Sequence, residues 1–258
     1  MKSRSFTGWA AFCCAVLLAD AQAGAAELKV LSAFGMQPAV EVLKPSFERS
    51  TGHKLKITVA TLGGAMSRLQ NGETFDVVMI PKSGIDELLK KGTVSADSAQ
   101  VIARSGMGVA LRKGVAKPDL SSSEAFRRAL LGAKSITYSN PEHGGPGGAH
   151  VAKVLERLGI AVEMKSKTVF LQKAGAVATL VANGEAELAI GQVQELLSVP
   201  GVELAGPLPS DLQLIFVFSA AILTKATERS AGEVFLEFLR TPAAAAAIRG
   251  TGLEPAGP

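Results

Sequence analysis

The stretch "LKVLSAFGMQPAVEVLKPSFERSTG", Leu28–Gly52, decides the architecture. LKVLSAF reads as a strand. A loop of small residues follows, and PAVEVLKPSFERSTG then reads as a helix that ends near Gly52. Pro45 lies inside that helix and predicts a kink or a restart, because proline removes a backbone donor. The same rhythm continues. KLKITVA (54–60) is a strand and GAMSRLQNG (64–72) a helix stopped at Asn71-Gly72. FDVVMI (75–80) is a buried strand, and SGIDELLKKG (83–92) is a helix with Ser83 as its cap and Gly92 at its end. Strand and helix alternating in this way predict a parallel sheet with helices on its faces.

A second set follows. GMGVALRKG (106–114) is a strand and turn, SSEAFRRALLG (122–132) a helix and SITYS (135–139) a strand. GAHVAKVLERLGI (148–160) is a helix, KTVFLQ (167–172) a strand, AGAVATLVANG (174–184) a helix and AELAIGQ (186–192) a strand. LQLIFVFSAAILT (212–224) is long and apolar enough to cross between two sheets. The tail, SAGEVFLEFLRTPAAAAAIRGTG (230–252), reads as two helices split at Thr241-Pro242. The expected fold class is therefore α/β, with two Rossmann-like lobes joined by crossing strands. Residues 26–108 and 222–258 would form one lobe and 109–221 the other.

With 258 residues, 47% of them hydrophobic, the chain can build two lobes with proper cores. The net charge of +4 is spread as single and paired Lys and Arg, which argues against nucleic acid as a partner. Lys2 and Arg4 precede an apolar run, Trp9–Ala19, and then ADAQAGAAE. Basic residues, a short apolar run and small residues at alternate positions read as an export signal, cut after Ala23 or Ala25. The run is too short to span a bilayer. Cys13 and Cys14 both fall inside it, so the mature chain, residues 26–258, is expected to have no thiol chemistry and no disulfide. An exported, soluble protein is the expectation.

Three places share one design: a strand ends, small residues follow, and a helix begins. They are SAFGMQPAVEVL (32–43), VATLGGAMSRL (59–69) and SNPEHGGPGGAHVAKVL (139–155). Ligands of open α/β sheets sit beyond the carboxyl ends of the strands. First helical turns carry free N–H groups and partial positive charge, and glycine lets an anion approach the backbone. Each loop alone reads more readily as an ordinary turn; the three together, with the export signal, suggest a cleft for a small anion. The candidate contacts are Phe34, Gly35 and Met36; Thr61, Gly63 and Gly64; and Pro146, Gly147 and Gly148. Gln192 and Gln194, in GQVQELL, place amides after the last strand of the second lobe, with Glu195 a favourable first-turn charge.

His143 lies in the third loop, either contacting an acidic ligand or moving a proton, or solvated there. Lys82 follows the third strand at the expected rim. Arg68 either leans back to a ligand carboxylate or faces solvent. There is no H-E-x-x-H motif, Cys/His cluster, phosphate-binding loop, dinucleotide fingerprint or nucleophile elbow. No metal or cofactor is expected.

These segments, with RLQNGETFDVVMIP (68–81), VANGEAELAIG (181–191) and FLEFLRTPAAAAAIRGTGLEP (235–255), resemble the periplasmic solute-binding proteins of ABC importers, in the branch of the molybdate-binding protein. The resemblance spans about 27–252. It implies the type II periplasmic binding fold, lobes that close on a ligand, and an ABC permease as partner. It also implies a site of hydroxyls and backbone N–H groups. At the matching positions this chain has Gly35, then Leu62, Gly63 and Gly64, then Gly191 or Gln192 in place of a tyrosine. Ser32 and Thr61 are the nearest hydroxyls left. The space vacated suits an organic anion better than molybdate. The same branch includes an aconitate isomerase, so a double-bond shift between cis- and trans-aconitate is the alternative expectation, with His143 or Lys82 as its base.

Overall fold

The computed structural model describes residues 24–143, 146–171 and 176–257. The chain first builds β1 (Glu27–Ala33), α1 (Gln37–Thr51), β2 (Lys54–Ala60), α2 (Leu62–Gln70), β3 (Val77–Pro81), α3 (Lys82–Lys90) and β4 (Gln100–Ser105). It crosses to β5 (Met107–Arg112), α4 (Ser123–Gly132), β6 (Ile136–Tyr138), α5 (Pro146–Arg157), α6 (Ala161–Lys165), α7 (Ala178–Ala182), β7 (Leu188–Gln192), α8 (Val193–Leu197) and β8 (Val202–Pro207). It returns through β9 (Phe216–Ile222), α9 (Arg229–Phe238), α10 (Pro242–Gly250) and β10 (Glu254–Pro255). One sheet runs β10-β4-β9-β3-β1-β2 and the other β6-β7-β5-β8. The architecture is two-lobed α/β.

Helix α1 turns Ala39, Val40, Leu43 and Phe47 inward, each at most 1% exposed. Fully burying a side chain such as Leu43 or Phe47 contributes roughly 1.5–3 kcal/mol. Phe47 meets the rings of Phe235 and Phe238 edge-on, with centroids 5.0 and 5.4 Å away, and His53 stacks on it. The helix runs unbroken through Pro45, with no restart. Pro45 is exposed, so the Glu41 carbonyl it leaves unbonded can be hydrated. Gly52 ends the helix at φ 78°, the left-handed conformation that glycine reaches without a Cβ clash.

Asp76, 1% exposed, ties three elements together. Its Oδ2 accepts from Lys29 N in β1, and its Oδ1 accepts from Thr227 N, Thr227 Oγ1 and Glu228 N, just ahead of α9.

Several expectations change. Both sheets are mixed rather than parallel: β1 pairs in parallel with β2 and β3, and β6 with β7, while β9 runs antiparallel to β3 and β4. Strands β4 and β8 were not anticipated. Ser83 does not cap α3, which begins at Lys82 with no side-chain cap bond. Gln172 of KTVFLQ lies outside the described residues; the rest, 167–171, forms no ladder, and Thr168 makes a single bridge to Ile136. The segment 212–224 does not cross as one strand. By sheet membership the crossings fall at Ser105–Met107 and between Pro207 and Phe216, and all of β9 belongs with β3 and β4.

Candidate functional site

The register of the strands brings their ends together. Ala33 lies opposite Ala60, and Ser32 opposite Met79, so β1, β2 and β3 finish along one edge. The starts of α1, α2 and α3 therefore stand side by side. Pro81 pairs with Phe218 and Ser105 with Phe216, which puts the beginning of β9 and the crossing at the same edge. In the second sheet Tyr138 lies opposite Ile190 and Met107 opposite Gln192. The carboxyl ends of β6 and β7 thus abut the crossing from the other side.

Packing at the glycines agrees with this. A Cβ at Gly35 would sit 2.6 Å from Phe218 Cζ and 3.2 Å from Gln194 Nε2. A Cβ at Gly147 would come to 4.0 Å from Phe216 Cζ. Loops from both lobes rest on the first residues of β9.

An amide relay joins the lobes here. Gln194, fully buried in α8, donates from Nε2 to the Gly35 carbonyl at 3.0 Å and to Gln192 Oε1 at 3.1 Å. Its Oε1 accepts from the Ser105 hydroxyl. Gln192 Nε2 in turn donates to Glu195 Oε1 at 3.0 Å. Burial pushes the Glu195 carboxyl up to about 7. Desolvation disfavours the ionised form and keeps the proton on.

The residues expected from sequence divide into groups. Phe34 is 47% exposed and Gly35 is buried beside it. Met36 is fully buried in the core, so its side chain is not offered to a ligand. The exposed Thr61 caps α2, its Oγ1 accepting from Gly64 N at 3.0 Å; Gly63, beside it, is exposed. That cap bond already uses one of the amide hydrogens expected for the ligand. Pro146, Gly147 and Gly148 form the first turn of α5, with Gly148 pressed against the Ser139 carbonyl. Gln192 ends β7, partly buried.

Arg68 does not lean back. It lies in the last turn of α2, at the far end from the loops, and grips Glu73 with 3.1 and 2.8 Å hydrogen bonds. Lys82 stands at the correct strand end, but its ammonium is held by Asp86 at 2.7 and 2.8 Å. The His143 side chain and residues 144–145 lie outside the described residues. His150 binds the Leu212 carbonyl at 2.8 Å, and buried His53 accepts from Ala26 N. Ser32 is buried, with its hydroxyl on the Ala33 carbonyl.

Glu195 is the feature that sequence reasoning passed over as a helix-start charge; its spacing from Gln192 was the available signal. Two open hollows lie elsewhere. One, of about 630 Å³, is lined by Pro118, Leu120, Pro207, Pro209 and Gln213, and another, of about 380 Å³, by Gln100, Arg240 and Ala256. Among the described residues no cluster of three His, Cys, Asp or Glu is placed to hold a metal. No described helix is long and apolar enough to cross a membrane.

A two-lobed α/β fold whose strand ends meet at the crossing between lobes is the fold of type II periplasmic binding proteins. The family model for bacterial extracellular solute-binding proteins matches residues 28–254, and the chain belongs to that family. Over 253 residues it is 33% identical to an aconitate isomerase from a Pseudomonas species, covering 93% of this chain and 94% of that one. Over 236 residues it is 30% identical to the molybdate-binding protein ModA of Azotobacter vinelandii, covering 89% and 90%. The solved periplasmic molybdate-binding protein of Azotobacter vinelandii superposes with a TM-score of 0.68 at 23% identity, covering 88% of this chain and 98% of that one.

Proposed function

We propose that this protein binds a small organic anion, carrying more than one carboxylate, between its lobes and delivers it to an ABC-type membrane importer. In this reading residues 1–25 are removed on export and the mature chain works as a periplasmic monomer. The ligand is held by backbone N–H groups of the loops at 33–37, 61–65 and 140–149, and by the segment 191–194.

The observation that carries the reading is the relay from Gly35 to Glu195. It sets the first loop of one lobe against the end of β7 in the other, so a ligand at that edge touches both. The chemistry there is amide and carboxyl, with glycine at 35, 63, 64 and 191, where the resemblance implies hydroxyl ligands for molybdate. A thermal-shift panel of the mature chain tests this, because a ligand that binds only the folded state raises its melting temperature. The panel holds molybdate, tungstate, sulfate, citrate and both aconitates. The expected result is a shift with the tricarboxylates and none with molybdate; a shift with molybdate alone would sink the organic reading.

A second reading has its own support. Moving a double bond within aconitate requires a proton to leave one carbon and arrive at another, and a carboxyl poised near neutrality suits that work. The 33%-identical relative is an aconitate isomerase. Incubation with trans-aconitate in deuterated water decides between the two. Deuterium incorporation with appearance of the cis isomer makes the protein an enzyme; binding without either leaves it a carrier.

A further inference from the structure

Glu195 is placed unlike Asp86, in α3, and Glu73, beyond the far end of α2. Asp86 and Glu73 neutralise Lys82 and Arg68 in exposed ion pairs. Among the described residues Glu195 forms no ion pair, and its partner is an amide.

The relay has one direction. The Gly35 carbonyl can only accept, so Gln194 must turn its NH₂ toward it, leaving its oxygen for the Ser105 hydroxyl. The same NH₂ donates to Gln192 Oε1, so Gln192 must present its own NH₂ to Glu195. Oε1 of Glu195 is thereby fixed as an acceptor. A proton on this carboxyl belongs on Oε2, which makes no hydrogen bond within the described residues. Oε2 is not sealed away either: among the described residues the buried side-chain polar atom lacking a partner is Thr137 Oγ1.

We propose that Glu195 reads a carboxylate of the ligand as a neutral acid, donating the O–H on Oε2 to it, so that ligand and one proton bind together. This rests on the organic-anion reading above. An ionised Glu195 would repel a second carboxylate, while a shared proton converts that repulsion into a charge-assisted hydrogen bond. Among the described residues, Lys82 stands at this edge already matched by Asp86, and a proton on Glu195 supplies positive charge there instead. The raised titration of Glu195 agrees with this geometry.

Among the described residues, the elements against α8 do not pair a charge with Glu195. Arg112 and Glu203 lie toward the opposite ends of β5 and β8, with Glu203 held by Gly114 N and Lys117. Arg249 and Glu254 flank the turn at Gly252, which meets α8 through Val193 and Leu197. None of the four pairs with Glu195 among the described residues.

The test is calorimetric titration of trans-aconitate into the mature protein and its Glu195→Gln variant between pH 5.5 and 8.5. Each titration is repeated in two buffers of different ionisation heat, which counts protons taken up. Gln keeps the shape and offers a permanent N–H donor, so comparing the two removes the ligand's own titration. The expected result is wild-type affinity falling about tenfold or more from pH 6 to 8.5, with up to one proton taken up at the higher pH. The variant should bind with affinity that changes less than about threefold. Parallel pH profiles and proton counts for the two proteins overturn the proposal while leaving the binding reading intact. A folded variant that no longer binds at pH 6 overturns it too. Absence of binding by the wild type at every pH removes the organic-anion reading and this inference with it.

Discussion

The side-chain amide of Gln194, in the second lobe, donates to the backbone carbonyl of Gly35, in the first, at 3.0 Å inside a fully buried contact. Truncating it strands three groups: the Gly35 carbonyl, the Ser105 hydroxyl and Gln192 Oε1. Leaving a buried polar group unpaired costs about 1–3 kcal/mol. Gln194→Ala is expected to lower the unfolding free energy in urea by about 2–4 kcal/mol and to weaken tricarboxylate binding as well. Unchanged stability would mean that the lobes are held without this clasp.

Two adjacent glycines of the third loop make opposite predictions. A Cβ at Gly148 would fall far inside contact distance of the Ser139 carbonyl, which is backbone and cannot step aside. A Cβ at Gly147 meets nothing closer than Phe216 Cζ at 4.0 Å. Gly148→Ala is expected to destabilise by about 1–3 kcal/mol, the usual range for overpacking, and Gly147→Ala to stay within about 0.5 kcal/mol. Paired thermal melts check this; equal melting temperatures would contradict the placement of the loop.

How far the sequence reading reached depends on what each segment hides. The β1–α1–β2–α2–β3–α3 run was legible because its strands are apolar runs and its helices stop at Gly52, Gly72 and Gly92, all with positive φ. The split at Thr241-Pro242 was legible for a similar reason: Thr241 caps α10 and proline opens it. Strand β8 was missed because VELAGP is an edge strand with no fully buried residue, so burial left no pattern in it. Strand β4, QVIARS, places Arg104 outward and carries a register shift between Val101 and Ala103, which breaks its alternation. At the site, the glycine loops could be read locally. The partial burial of Glu195 could not, since it arises from packing of distant segments around α8. Nor could the loss of Arg68 and Lys82 to Glu73 and Asp86, because pairing of exposed charges is a choice among several neighbours.

That loss has a measurable consequence. Lys82 and Arg68 are 51% and 43% exposed, and each is already matched by a carboxylate. Exposed pairs of this sort contribute roughly 0–1 kcal/mol. Lys82→Ala and Arg68→Ala are each expected to change affinity for a tricarboxylate by less than about threefold. A loss of a hundredfold for either, by titration calorimetry, would show that its partner releases it to the ligand.

Asp76 tests the frame apart from the site. It accepts four hydrogen bonds while 1% exposed, joining β1, β3 and the approach to α9. Hydrogen bonds to a charged group are worth about 1.5–3 kcal/mol each, and removing the acceptor leaves buried N–H groups unpaired. Asp76→Ala is expected to lower stability by about 3–5 kcal/mol, enough to reduce the yield of folded protein. Asp76→Asn should recover part of this, since one amide oxygen can still accept from Lys29 or from Thr227. Indistinguishable denaturation curves for wild type and Asp76→Ala would refute the assignment.

The unliganded protein carries its own signature of Glu195. An acid whose folded-state pKa, here about 7, lies above its ordinary value of 4.5 keeps its proton longer in the folded chain than in the unfolded one. Between those two values the folded state binds more protons, so stability falls as pH rises through the window and levels off above about 7. Asp97, Asp119, Glu48 and Glu203 behave oppositely. Hydrogen bonds lead in holding their carboxyls below the usual range, so what they contribute is lost on acidification. Both sets act at once in the wild type, but Glu195→Gln keeps the second and removes the first. The difference in urea unfolding free energy, wild type minus variant, is therefore expected to decline steadily from about pH 4.5 to about pH 7 and then stay flat. A difference that is constant across that range would place Glu195 in water rather than in the packed junction between the lobes.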